Sequence, residues 1–190
     1  MAKSYRPLAV PAGVDVKVQP NQVTIKGKLG TLTVPVIPGL SVKIANGQVE
    51  VDGGPDISRA HIGSLRAHLG NAFAGVTKGY QKVLELRGMG YKAQKTKEGI
   101  QVNCGFSHPV DFAAPAGVTM EVSQVPDPDD TKLQMFEILI RGFDRHAVGQ
   151  LAAVIQGTKP PDVYRGKGIR YRGEHVRKKQ GKRAAGTQQA

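Results

Sequence analysis

The run GGPDISRAHIGSLRAHLGNAFAGVTKGY, residues 53–80, changes the apolar spacing of the chain from every second residue to every third or fourth. Ile62, Leu65, Leu69, Ala72, Phe73 and Val76 fall on one face of an α-helix at that spacing. Asp56 or Ser58 supplies an N-cap oxygen, and Gly75 or Gly79 supplies the stop. On the N-terminal side the period is two. VDVKV at 14–18 alternates through Val14, Val16 and Val18, PNQ turns the chain, and VTIKG at 23–27 alternates again through Val23 and Ile25. In SVKIANGQVEV at 41–51, Asn46-Gly47 separates two alternating runs, as a two-residue hairpin turn with positive φ requires. A meander of strands followed by one amphipathic helix predicts a small α+β unit.

The order repeats. Strand-like runs occupy KVLELRG, YKAQKTKEGIQVNCGF, VDFAAPAGVTMEVSQ and QMFEILIRG, with a hairpin turn predicted at Lys97-Glu98-Gly99. DRHAVGQLAAVIQG then sets Val148, Leu151, Ala152 and Ile155 on one helical face, with Asp144 to cap it and Gly157 to end it. VPAGVDVKV at 10–18 aligns with APAGVTMEV at 114–122, and VTIKG at 23–27 with ILIRG at 138–142. Tandem duplication accounts for both matches. The predicted fold class is α+β: two tandem copies of a small domain, each a mostly antiparallel sheet with one packed helix, followed by a basic C-terminal tail. The expected divisions are 1–81, 82–158 and 159–190.

Charge bounds the partners. The chain has 190 residues, a formal net charge of +12 and 39% apolar residues, enough for one large or two small cores. Residues 159–190 hold ten Lys and Arg against Asp162 and Glu174, a net of +8, which leaves +4 for residues 1–158. Such a field attracts polyanions. No apolar run approaches the roughly 18 residues of a spanning helix, and MAKSYRPLAVPAG does not have the layout of a secretory signal, so a cytoplasmic location is expected. Cys104 is the sole cysteine, which leaves no internal disulfide and no multi-cysteine zinc site.

Catalytic motifs do not survive inspection. Ser107 and His108 are adjacent and point to opposite sides of an extended segment, so they make no nucleophile and base pair. His61, His68, His108, His146 and His175 show no metal-ligand spacing. RGMGY at 87–91 and YRGKGIRY at 164–171 contain GxG without the strand–GxGxxG–helix context, and no phosphate-binding GxxxxGK[ST] occurs. Asp127, Asp129 and Asp130 lack the glycine and glutamate of a calcium loop and read as a solvated connection. No metal, cofactor, small-molecule substrate or enzymatic activity is expected.

The tail differs from a bare basic run. Tyr164, Ile169, Tyr171 and Val176 are spaced through it, which predicts partial order with cations at fixed positions. Lys and Arg neutralise phosphates, tyrosine rings stack on unpaired bases, and glycines let a sugar-phosphate strand approach closely. Structured RNA satisfies all three. Membrane-surface binding and general nucleic-acid binding are the alternatives, the former disfavoured by Gly166, Gly168, Gly173 and Gly181, which weaken any amphipathic helix.

PPDVYRGKGIRYRGEHVRKKQGK, residues 160–182, resembles the C-terminal signature of the bacterial large-subunit ribosomal protein family numbered six. GVTKGY at 75–80, GMGYKA at 88–93, GFSHPV at 105–110 and DRHAVGQLAAVI at 144–155 agree in order. The resemblance implies two duplicated α+β domains and no catalysis. It also implies binding to large-subunit ribosomal RNA, chiefly through the C-terminal domain and tail, with neighbouring ribosomal proteins near the stalk base and the factor-docking region. Carried onto this sequence, the RNA-binding residues it implies are Tyr164, Arg165, Gly166, Lys167, Gly168, Arg170, Tyr171 and Arg172, then Arg177, Lys178, Lys179 and Lys182, with Lys159 just ahead of the signature. Ile169 and Val176 are expected to anchor the segment to its own domain. Val163 stands where the family has a second proline, and the N-terminal segment and the acidic loop also depart from the family pattern.

Overall fold

The computed structural model describes residues 6–45, 47–54, 57–126, 134–179 and 181. They group into two compact units. One holds the described residues up to Gln81 with 115–119 and 141–149, and the other holds 82–114, 120–140 and the described residues from 150 onward.

The chain begins with β1 (Leu8–Ala9), β2 (Asp15–Gln19), β3 (Gln22–Lys26), β4 (Thr31–Pro35), β5 (Leu40–Ala45) and β6 (Gln48–Gly53), then α1 (Arg59–Lys78). Strands β2-β3-β4 form one antiparallel sheet and β1-β6-β5 another. The alternation fixes the register: Val16 pairs with Ile25 and Val18 with Val23. Ala45 pairs with Gln48, which leaves a two-residue loop made of position 46, outside the described residues, and Gly47 at φ 70°. Strand β1 has no counterpart in the sequence reading, because two residues carry no period.

Of the two N-cap candidates, Asp56 lies outside the described residues and Ser58 caps α1, its Oγ accepting from the Ala60 N–H at 3.3 Å. The helix passes through Gly75 and stops at Gly79, whose φ of 74° lets its N–H donate back to the Ala74 and Gly75 carbonyls. Gly75 stays inside the helix for packing reasons, since a Cβ there would collide with the Phe143 carbonyl oxygen. All six predicted apolar positions of α1 are buried, in one core with Val23, Ile25, Val49 and Val51.

Beyond α1 the chain forms β7 (Tyr80–Arg87), β8 (Lys92–Lys95), β9 (Gly99–Asn103), β10 (Val110–Ala113), β11 (Val118–Pro126), β12 (Gln134–Gly142), α2 (Arg145–Thr158) and β13 (Gly168–Tyr171). One sheet has the order β10-β9-β8 and the other β11-β12-β7-β13. One run divides at the hairpin turn expected near Lys97-Glu98-Gly99, and another, read as a single strand, is also divided. Residues 91–106 bend after β8, where the Thr96 N–H donates to the Gly99 carbonyl, and residues 110–124 break at Gly117, φ 78°, so that β10 and β11 join different sheets. Asp144 caps α2, with Oδ1 accepting from the His146 N–H at 2.8 Å, and the helix runs one residue past Gly157. The acidic loop of Asp127, Asp129 and Asp130 lies outside the described residues.

The largest departure from the sequence reading concerns the segment set apart as a basic tail. Residues 168–171 are an edge strand, paired antiparallel with β7. Ile169 is fully buried and Val176 half-buried, as their expected anchoring role requires.

Candidate nucleic-acid interface

Strand β7 contributes Leu84, Glu85, Leu86 and Arg87, all buried, and β13 lies against them with Ile169 opposite Leu86 and Arg170 opposite Glu85. Glu85 and Arg87, two apart on a strand, share a face. Glu85 Oε2 accepts from Arg87 Nε at 3.1 Å, from Arg87 Nη2 at 3.0 Å and from Arg170 Nε at 3.0 Å. The three side chains are only 8%, 10% and 12% exposed. The Glu85 carboxylate bonds to both guanidiniums and so offsets part of the cost of burying them. The guanidinium of Arg170 is therefore engaged inside the protein.

On each side of β13 a turn fixes the backbone. Before it, Asp162 Oδ2 accepts from the Arg165 N–H at 2.9 Å, the Gly166 N–H donates to the Asp162 carbonyl, and the Asp162 N–H donates to the Lys167 carbonyl, both at 2.8 Å. Gly166 sits at φ 72° within this loop. The hydrogen bond from the Arg165 backbone, then that from Tyr164, hold the Asp162 carboxyl below its ordinary value of 3.8. After β13, Glu174 Oε2 accepts from the Tyr171 N–H at 2.9 Å and from Gln156 Nε2 at 3.2 Å. The Lys179 N–H donates to the Val163 carbonyl at 2.8 Å, which ties the end of the described segment back to the first turn.

This scaffold sorts the residues named from the sequence. Tyr164, Arg165, Arg172, Arg177, Lys178 and Lys179 are exposed, Lys159, Lys167, Arg170 and Tyr171 are half-buried, and Gly166 and Gly168 are buried. Lys182 lies outside the described residues. Arg172 Nη1 stands 3.9 Å from Glu137 Oε2 but remains 63% exposed, a pairing too weak to occupy its charge. Lys82 Nζ lies 5.3 Å over the Tyr171 ring, and Lys159 Nζ lies 5.1 Å over the Phe106 ring. Gly168, at φ 146°, is needed by the protein itself, because a Cβ there would stand 2.6 Å from Pro161 Cα and 2.7 Å from the Pro160 carbonyl oxygen. The absence of a side chain, expected from the sequence to admit a nucleic-acid strand, is already required by the two prolines.

Three acidic residues escape the sequence reading as parts of the site: Asp162, Glu174 and Glu85. The first two enter it only as subtractions from the net charge. Asp162 carries a usable signal, an aspartate three residues before the N–H it accepts in a glycine-containing loop. Glu85 carries none, since its partner Arg170 is 85 residues away in sequence.

Among the described residues no group of three His, Cys, Asp or Glu is placed to hold a metal ion, and no helix is long and apolar enough to cross a membrane. Ser107 and His108 are both exposed. Burial pushes the Cys104 thiol up, against the opposing charge of Lys159, so it is a packed side chain and a poor nucleophile.

A twice-built α+β fold whose C-terminal edge strand is flanked by ordered, cation-bearing loops defines a class of basic, duplicated-domain proteins. The family model described as ribosomal protein L6 matches residues 10–79 and again 87–172, the second match taking in β13. The chain belongs to the ribosomal protein L6 family, a family of structural proteins and not of enzymes. It is 43% identical over 183 residues to the large ribosomal subunit protein uL6 of Caldicellulosiruptor bescii, with 95% of each chain covered. It is 42% identical over 177 residues to that of Listeria monocytogenes serotype 4a, covering 92% of this chain and 94% of the relative.

Proposed function

We propose that this protein is a structural constituent of the large ribosomal subunit in the cytoplasm, and that it binds large-subunit 23S ribosomal RNA through the segment built around β13. The observation that carries this reading is the ordered display of cations in residues 159–179 of a chain that belongs to the ribosomal protein L6 family. Arg165, Arg172, Arg177, Lys178 and Lys179 take phosphate oxygens, with Lys159 and Lys167 beside them, and Tyr164, 58% exposed, packs against a sugar or base. Lys182 extends the same series. Arg170, Tyr171, Gly166 and Gly168 act one step back: they hold the loops at which the exposed groups stand. The site lies near the stalk base and the factor-docking region, with ribosomal proteins as neighbours.

A strand bounded by two hydrogen-bonded turns also favours RNA over a lipid surface, which basic segments engage as amphipathic helices. The test is sedimentation of the labelled protein with washed large subunits depleted of their own copy. Stoichiometric, saturable uptake that an equally basic unrelated protein does not show is the expected result; uptake no better than that control contradicts the assignment.

A further inference from the structure

Two loops outside β13 have exposed apolar groups in an otherwise basic region of the second unit. The loop between β7 and β8 turns at Gly88, where the Tyr91 N–H donates to the Gly88 carbonyl, and leaves Met89 71% exposed. The loop between β9 and β10 leaves Phe106 39% exposed, with His108 exposed beside it. The Tyr91 ring fills the space between them: a Cβ on Gly88 would stand 2.6 Å from Tyr91 Cδ2, and one on Gly105 3.3 Å from Cε1. The Phe106 and His108 rings are close to parallel, 21° apart in plane with centroids 6.3 Å apart, and Lys159 Nζ lies over the Phe106 ring, 5.1 Å from its centroid, at the end of a flexible side chain that can move aside for a base.

Phe106 keeps 39% of its surface exposed, enough to present part of a ring to a ligand. Two near-parallel rings offer a third planar ring a face to continue the stack, and the adjacent ammonium suits the phosphate attached to that ring. The occupant must be planar, apolar on its faces and anionic at its edge. We propose that Phe106, His108 and Lys159 form a stacking site for an unpaired RNA base, with Phe106 as the platform and Lys159 as the cation for the flanking phosphate. The inference rests on the RNA-binding reading above and deepens it, because the ligand is a base in a loop or bulge: bases inside a duplex offer no free face.

The chain contains no tryptophan, so Phe106→Trp introduces a single reporter at the platform. Purified large-subunit ribosomal RNA is titrated into the wild-type protein, Phe106→Ala and Phe106→Trp, each across a range of salt. The site predicts that Phe106→Ala weakens binding about 5- to 150-fold with an unchanged salt slope, the loss of one stacked base without loss of a phosphate contact. It also predicts that Phe106→Trp keeps wild-type affinity and that its fluorescence is quenched on binding. Wild-type affinity in Phe106→Ala, or unquenched tryptophan in a bound complex, overturns the stacking site and leaves the RNA reading intact. Failure of the wild-type protein itself to bind overturns the RNA reading, and the stacking site with it.

Discussion

Asp162 and Glu174 lie in a cation-rich segment, and the carboxylate of each accepts a backbone N–H within the loops that flank β13. Because Asp162 is ionised when it accepts the Arg165 N–H, its carboxyl is held below the ordinary value of 3.8. The folded-state value is lower than the unfolded one. The resulting stabilisation of the 162–167 loop is therefore complete above the ordinary aspartate range and is lost as pH falls through the depressed value. A carboxyl-carbon NMR titration is expected to show Asp162 titrating below the other exposed aspartates, with Arg165 amide exchange accelerating over the same interval. A titration at or above 3.8 contradicts the turn. The missing side chain at Gly168 likewise answers to Pro160 and Pro161, neighbours within the protein.

At the scale of elements, legibility follows the range of the interaction. Helix α1 is readable because Ile62 to Val76 repeat locally and Ser58 and Gly79 cap locally, and the β5–β6 hairpin because its turn lies between the residues it pairs. Strand β13 is not, because Ile169 and Tyr171 give only two alternating positions and their partners Leu86 and Leu84 lie a whole domain earlier. The turn between β8 and β9, at Lys97-Glu98-Gly99, is readable for the same reason as the β5–β6 turn, whereas the break at Gly117 is hidden, since both halves of that run are β-forming and only the sheets they join distinguish them. The Glu85 cluster makes the β7–β13 pairing testable. Glu85→Ala leaves Arg87 and Arg170 without the carboxylate between them and is expected to cost about 3–5 kcal/mol in urea unfolding. Arg170→Ala is expected to cost less, because Glu85 keeps its two bonds from Arg87. An Arg170→Ala penalty equal to or above that of Glu85→Ala contradicts this account. Truncation after Lys159 removes Ile169 with the cations, so it cannot separate binding from folding; substitutions of exposed charge can.

For the whole molecule, the charge is split unevenly, +8 for residues 159–190 and +4 for the rest, which concentrates the field that attracts polyanions at the C-terminal segment. Charge alone does not make residues 159–179 a folded segment; the pairing of β13 and the turns around it do, and they convert a basic tail into a surface with fixed cation positions. The central claim is that the exposed cations around β13 contact ribosomal RNA phosphates. It is tested most directly by the salt dependence of binding to purified large-subunit ribosomal RNA, for wild type and for the quadruple variant Arg165→Gln, Arg177→Gln, Lys178→Gln, Lys179→Gln. All four side chains are exposed, so the fold is expected to persist. Each phosphate contact contributes about 0.7–0.9 to the slope of log K against log salt, so the variant's slope is expected to be shallower by about 3. An unchanged slope with unchanged affinity, in a variant that unfolds like the wild type, contradicts it.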